Sequence, residues 1–300
     1  MLSHTEEDSQ DGKISFLKCL TYRQTWAFAF GKFMTDGVWW FFLFWTPAYL
    51  WAQYGMQGTD ISMPIAVLYT ITVVGSVFGG KFPTYFINKG MNPYAGRMTA
   101  MFIIALFPLF VLLAQPLGYI SYWVPILFIS IGASAHQAWS ANIFTTVSDM
   151  FPKKAIATVT GFGGMAGGVG SVLINKVAGL IFSSYRGTGI EQTWKQAGAL
   201  DGSLTEYIDK IRSMNLVNQY GSNIDLNTHE LSKLPDQVKV AIESIDPAAF
   251  SQLVDLQNKL VNAEMYTAYT IVFVFCALAY IVAWAVMKLL VPKFKPITDL

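Results

Sequence analysis

The sequence predicts an all-α membrane protein, and three observations carry that prediction: 53% of the 300 residues are hydrophobic, only 13% are charged, and the apolar residues gather into long runs. A charged fraction about half that of a typical soluble domain leaves too little polar surface for a water-exposed globule. A hydrocarbon core of about 30 Å takes roughly 20 helical residues. Six runs fall within reach of that length, at 26–51, 63–87, 98–115, 121–148, 155–182 and 266–291. The expected architecture is six transmembrane helices in one bundle, with a helical insertion between the fifth and sixth.

The balance of 20 Lys and Arg against 19 Asp and Glu offers no basic face for nucleic acid. Cys19 and Cys276 lie too far apart in the expected topology for a disulfide, and no Cys/His cluster has metal-ligand spacing. No cofactor is expected. The first residues are acidic (Glu6, Glu7, Asp8, Asp11), and the first apolar run is too long for a signal-peptide core, so no cleavable signal is expected.

Taken in order, residues 1–25 form a segment carrying Lys13, Lys18 and Arg23. Lys89 and Arg97 lie between the second and third spans, Lys153 and Lys154 between the fourth and fifth, and Lys288, Lys293 and Lys295 close to or beyond the end of the sixth. The connectors at 52–62 and 116–120 contain neither Lys nor Arg. Short cytoplasmic loops collect basic residues, so this alternation places both termini, including the tail 292–300, in the cytoplasm of a multi-pass inner-membrane protein. Residues 183–265 then emerge on the opposite face, with seven basic and eleven acidic residues. Ser203 to Met214 reads as helix. Asp246-Pro247 reads as an N-cap with proline at the first helical position, ahead of Phe250, Leu253, Val254, Leu260 and Val261 at a 3.6 period. Gly187, Gly189, Gly198 and Gly221-Ser-Asn223 are expected as flexible joints in this extracytoplasmic cap.

In the first span, Lys32 and Asp36 lie one turn apart on one face that Trp40 continues. Ionisable side chains at membrane depth usually face a cavity and serve ions or substrates, although an ion pair can also simply neutralise itself for packing. The second span carries Gly75 and Gly79, small residues one turn apart that permit close helix approach, and Lys81 near its end can snorkel to the headgroups. The fourth span holds His136-Gln137-Ala-Trp139-Ser-Ala-Asn142. These polar groups need partners, either a bound molecule or a neighbouring helix. Asp149, just before Pro152-Lys153-Lys154, sits where a residue would clamp a loop. The fifth span contains the pairs Gly163/Gly167, Gly164/Gly168 and Ala166/Gly170, which favour tight contact; without a preceding strand, its glycines are no dinucleotide fingerprint.

Two rival classes are weighed against these residues. Gly132-Ala-Ser134-Ala resembles the G-x-S-x of rhomboid intramembrane proteases. Such a protease needs a His on another helix; the sixth span has none, and His136 points about 200° away from Ser134 around its own helix. A channel would need a selectivity loop of the TVGYG kind, and Asn92-Pro93-Tyr94 is not an aquaporin NPA.

Four stretches closely resemble the hexuronate and aldonate permeases, in the anion:cation symporter branch of the major facilitator superfamily. They are Arg23-Gln-Thr-Trp-Ala-Phe, the run from Phe33-Met-Thr-Asp36 through Trp39-Trp40 to Pro47-Ala-Tyr-Leu, Ala135-His-Gln-Ala-Trp-Ser-Ala-Asn142-Ile-Phe-Thr, and Ser148-Asp-Met-Phe-Pro152. The resemblance covers about residues 14–185 and, more loosely, 266–296, and it matches the second six-helix half of such permeases. It implies a proton-coupled symporter that imports a sugar acid by alternating access, with two halves rocking about a midplane site. Asp36, Trp39, Trp40, His136, Gln137, Trp139 and Asn142 are then the expected substrate-facing residues, and Lys32, Asp36 and Asp149 the gating or coupling ones. The implied partners are a sugar acid, a proton, the lipid bilayer and a first six-helix half. Gly37 stands where relatives often have proline, and 183–265 is longer than the usual connector. A second reading is a membrane module that does not transport and whose large loop binds a partner.

Overall fold

The computed structural model describes residues 16–200, 202–217, 223–298 and 300, and their regular elements are helices. Lys13, and Gly221-Ser222 of the expected joint, lie outside the described residues. In chain order the α-helices are α1 (Phe16–Cys19), α2 (Arg23–Tyr54), α3 (Ser62–Asn88), α4 (Pro93–Leu106), α5 (Ala114–Leu117), α6 (Trp123–Met150), α7 (Lys153–Leu200), α8 (Gly202–Ser213), α9 (Asp236–Glu243) and α10 (Pro247–Leu290).

The chain divides into two compact units, one of residues 1–177 and 272–300, the other of residues 178–271. Each expected span corresponds to helix, although residues 178–182 of the fifth and 266–271 of the sixth belong to the second unit. Four helical segments are long and apolar enough to cross a membrane: Gly58–Asn88, Pro93–Leu117, Lys153–Ala199 and Pro247–Leu290. The other two, α2 and α6, have 32 and 28 residues, about 48 and 42 Å at 1.5 Å per residue. Length is therefore sufficient in both; their apolar character is diluted by the residues singled out above, Lys32, Asp36 and five tryptophans in α2, and His136, Gln137 and Asn142 in α6.

Local sequence explains where these helices begin, end and break. Asn92 caps α4 by accepting a hydrogen bond from the Ala95 amide, with Pro93 at the first turn. Helix α2 ends at Gly55, whose φ of 65° closes a left-handed cap back onto Leu50 and Trp51. The third span is not one α-helix: a 3₁₀ segment, Phe107–Leu113, separates α4 from α5. Pro108, in its first turn, cannot donate to the preceding turn and so breaks the α pattern there.

Helix α6 lies at the centre of the first unit, packed on α2, α3, α4 and the 3₁₀ segment. Small residues set the closest approaches. A Cβ at Gly79 would lie 2.3 Å from the Cα of Ala138, and one at Gly170 would lie 2.0 Å from the Phe33 carbonyl oxygen. The glycines of α7 divide into two stripes: Gly163, Gly167 and Gly170 press on Phe28, Asp36 and Phe33 of α2, whereas Gly161, Gly164 and Gly168 face open space. The tail is fastened by the Ile297 amide on the Met150 carbonyl (2.8 Å) and by Gln24 donating to the Lys295 carbonyl (3.0 Å).

The second unit is helical, as the periodicity predicts, with Tyr207, Ile211, Leu231, Ile242 and Leu253 buried in its own core. Asp246 caps α10 by accepting from the amides of Ala248 and Ala249, both at 3.0 Å. The joints differ from expectation. Gly187, Gly189 and Gly198 are all inside the unbroken 48-residue α7. Gly189 serves close packing instead, since a Cβ there would lie 2.7 Å from the Cα of Val261.

Candidate functional site

Lys32 and Asp36 form the expected ion pair, with Nζ and Oδ2 2.8 Å apart and side chains 8% and 15% exposed. The Lys32 ammonium also lies 4.6 Å from the centre of the Phe144 ring of α6, an aromatic face that favours a cation. Across from Asp36 is α7: any Cβ at Gly167 would lie 2.2 Å from Asp36 Oδ2. The second carboxylate oxygen, Oδ1, is buried and accepts no hydrogen bond among the described residues.

The two adjacent tryptophans diverge, because successive residues on a helix are about 100° apart. Trp39 stacks on the imidazole of His136, with centroids 5.1 Å apart and planes at 13°. Trp40 is 38% exposed, stacks on Phe44 and borders a cleft of about 680 Å³ between α2 and α7, with Trp45, Gly168, Ser171 and Asn175 among its other walls. Asp36 and Trp40 thus face α7, Lys32 reaches from Asp36 to the Phe144 ring of α6, and Trp39 belongs to the α6 side.

His136 is buried, and its Nδ1 lies 2.8 Å from the hydroxyl of Tyr280 on α10; that hydroxyl is also 3.4 Å from the Thr35 carbonyl. Trp139 is fully buried and meets Tyr280 edge-on at 5.6 Å. Among the described residues its indole Nε1 has no partner. Asn142 donates from Nδ2 to the carbonyls of Gly79 and Ala138, both at 2.8 Å, while its Oδ1 is buried without a donor. The amide therefore fastens α6 to α3 with its nitrogen and keeps its oxygen uncommitted. Gln137 is half-buried on the same helix. Asp149 stands apart from these groups, accepting from Nε and Nη2 of Arg97 at 2.5 and 3.4 Å and so tying α6 to α4.

Sequence reasoning missed two participants, Tyr280 and Asn175, and read a third, Gly167, for tight contact without its partner Asp36. Tyr280 joins His136, Trp139 and Thr35; its signal is a hydroxyl in the otherwise apolar Val272–Val282 run. Asn175 accepts from the Trp45 indole at 2.9 Å, bridging α7 and α2. Gly167 covers the carboxylate of Asp36. A second cavity, of about 510 Å³ between α3, the 3₁₀ segment and α6, is walled by Ile71, Phe78, Phe82, Ile104, Phe110 and similar groups. It offers a charged ligand almost nothing polar: Ser134, on its wall, donates to the Ile71 carbonyl at 3.0 Å.

Long apolar helices around a central helix, with an ion pair and stacked aromatics held between them, define a multi-pass membrane protein. Residues 3–174 match the Major Facilitator Superfamily, and the chain belongs to that family. Family membership, rather than the absence of a catalytic triad, sets the protease reading aside. The chain is 30% identical over 173 residues to the hexuronate transporter of Escherichia coli (strain K12), a match covering 56% of this chain and 39% of that protein. It is 24% identical over 172 residues to the probable galactarate/D-glucarate transporter GarP of the same strain, covering 57% and 38%. The matched region spans about two fifths of these relatives. In fold the chain is similar to the crystal structure of a bacterial homologue of the human lysosomal transporter Spinster in an inward-facing, unoccupied conformation. That likeness has a TM-score of 0.54 at 16% identity, over 98% of this chain and 54% of the other.

Proposed function

We propose that the chain is the second six-helix half of a proton-coupled symporter for sugar acids, acting with a complementary first half by alternating access across the cytoplasmic membrane. Both termini lie on the cytoplasmic side in this reading, which the distribution of Lys and Arg supports, and residues 183–265 lie on the other. Asp36, Trp39, Trp40, His136, Gln137, Trp139 and Asn142 form this half's share of the substrate wall. Lys32 and Asp36 gate or position it, and Asp149 with Arg97 clamps its cytoplasmic end.

One observation carries the reading: among the described residues five buried side-chain atoms have no hydrogen-bond partner, and besides Gln53 Nε2 and Arg186 Nε, the latter ion-paired to Glu230, they are Asp36 Oδ1, Trp139 Nε1 and Asn142 Oδ1. Each such group costs about 1–3 kcal/mol while unmet, so three of them at positions picked out by the sequence resemblance favour binding over mere helix packing. A donor and two acceptors suit the hydroxyls of a sugar acid, and indole faces suit its carbon skeleton. The names of the E. coli relatives supply the substrate class.

The test is uptake of radiolabelled glucuronate or galacturonate into cells or proteoliposomes, with the chain alone and with a first half from a related permease. Uptake is expected only with both halves. Failure in both arrangements, with both proteins inserted in the membrane, would sink the transport reading.

A further inference from the structure

The unit of residues 178–271 contains a polar cleft of about 350 Å³, lined by Glu191, Trp194, Lys195, Arg212 and Asn227, to which nothing above assigns a role. Its chemistry is that of a prepared cation. The Arg212 guanidinium lies 5.1 Å from the centre of the Trp194 ring and donates from Nη2 to Asn227 Oδ1 at 3.3 Å. Each of those partners is itself held: the indole Nε1 of buried Trp194 donates to the Leu226 carbonyl at 3.2 Å, and Asn227 donates from both its backbone N and Nδ2 to Asp225 Oδ1 at 2.9 Å. Among the described residues, Arg212 pairs with no carboxylate.

The other two charges in the cleft cancel. Lys195 Nζ lies 2.6 Å from Glu191 Oε1, one helical turn away on α7, and this contact holds the exposed Glu191 carboxyl below its usual range. Among the described residues that line the cleft, Arg212 is then the charge without an ion-pair partner, fixed in direction by an aromatic face and an amide, with the Asp225 carboxylate one hydrogen bond further on behind Asn227. A guanidinium retains a planar fork of donors matched to a carboxylate even while stacked. Residues 183–265 are acidic as a whole, but fields from exposed charges fade over a Debye length of about 8 Å at physiological salt. Capture must then rest on contacts inside the cleft, which suits a small anion better than an acidic macromolecule.

We infer that this cleft binds the carboxylate of a sugar acid, with Arg212 on the carboxylate and Asn227 and Lys195 within reach of hydroxyls. The inference rests on the sugar-acid reading above and adds a second binding place, outside the substrate wall, on the inserted unit.

The test uses the full chain in lipid nanodiscs, labelled with ¹⁵N at the indoles of its nine tryptophans. The Trp194 signal is assigned as the one lost in Trp194→Phe. Titration with glucuronate should shift that signal saturably, and glucose, the same ring without the charge, should not. Arg212→Gln should weaken the response about tenfold or more, the order expected for loss of a charge-assisted hydrogen bond, while the dispersion of the other indole signals stays unchanged. A Trp194 signal that ignores glucuronate, follows glucose equally, or responds as strongly in Arg212→Gln would overturn the inference. Uptake separates this from the parent reading: uptake without a Trp194 response sinks the cleft alone, whereas a Trp194 response without uptake supports the cleft and sinks transport.

Discussion

Removing the charges of Lys32 and Asp36 one at a time and then together separates a working ion pair from a neutralising one. At 2.8 Å and an effective dielectric constant near 20, the attraction between the two is about 6 kcal/mol before desolvation. Desolvation costs several kcal/mol per ion, so the intact pair adds little net stability. Breaking it is different. Lys32→Met leaves a mostly buried carboxylate and Asp36→Asn a mostly buried ammonium, and such losses run to about 3–5 kcal/mol. The residual exposure of both side chains, and the partners that a membrane-embedded unfolded state still finds, favour the lower end, near 3 kcal/mol. Lys32→Met with Asp36→Leu removes both charges and should return to within about 1 kcal/mol of the parent.

Two measurements are needed on the same four proteins: unfolding of the inserted chain in detergent, and glucuronate uptake with the complementary half present. Stability should fall in each single variant and recover in the double one. Uptake should fall at least about tenfold in all three, because restored packing does not restore the carboxylate and the ammonium proposed to gate or position the substrate wall. Recovery of uptake together with stability in the double variant would refute the functional assignment and leave the pair a packing device.

Gly79→Ala places a methyl 2.3 Å from the Cα of Ala138 and lengthens the Asn142–Gly79 hydrogen bond. Overpacking of about 1–3 kcal/mol plus about 1 for the bond predicts a loss of 2–4 kcal/mol in the unfolding assay; Gly168→Ala, facing open space, should be neutral or up to about 1 kcal/mol stabilising. Tyr280→Phe removes the hydroxyl shared by His136 and Thr35 at a cost of about 1 kcal/mol, and should lower uptake more than the stability loss explains, since Trp39 stacks on the imidazole it holds. Burial, with the Asp246 and Glu243 carboxylates nearby, pushes the Tyr207 hydroxyl above its ordinary value of 10.0. The folded state then keeps that proton more tightly than the unfolded one, so stability present below pH 10 is lost progressively above it. Tyr207→Phe should flatten the alkaline limb in a thermal-melt series while costing about 1 kcal/mol at neutral pH through the lost bond to the Ile242 carbonyl.

Much of the helix inventory is legible in the sequence because span length, capping and helical period are local properties. Asp246-Pro247 and the small-residue pairs of α3 and α7 needed no tertiary information to be seen. What was not legible depended on partners. The glycines at 187, 189 and 198 signal flexibility in isolation, yet their flanks continue the helix and Gly189 is required by Val261 on another helix. The resemblance puts both Trp39 and Trp40 among the substrate-facing residues, and only their separate neighbours, His136 and Phe44, reveal that they point to different sides of α2. Tyr280 was overlooked because one hydroxyl barely changes the hydropathy of an apolar run. Its importance comes from three groups on other helices converging on it.

The polar residues of α2 and α6 therefore cannot be sorted into structural and functional by type. Asn142 has one atom of each kind: its nitrogen bonds α3 and its oxygen bonds nothing. His136 is satisfied by Tyr280, Asp149 by Arg97, and both would hold helices together with no substrate present. Asp36 Oδ1 and Trp139 Nε1, like the Asn142 oxygen, have no such occupation in this chain. A helix bundle evolving only for stability would shed buried polar atoms that bond nothing, because an apolar replacement of similar shape costs less. In the proposed symporter these three atoms, set beside satisfied polar neighbours, are the ones left to meet a transported molecule or the opposing half.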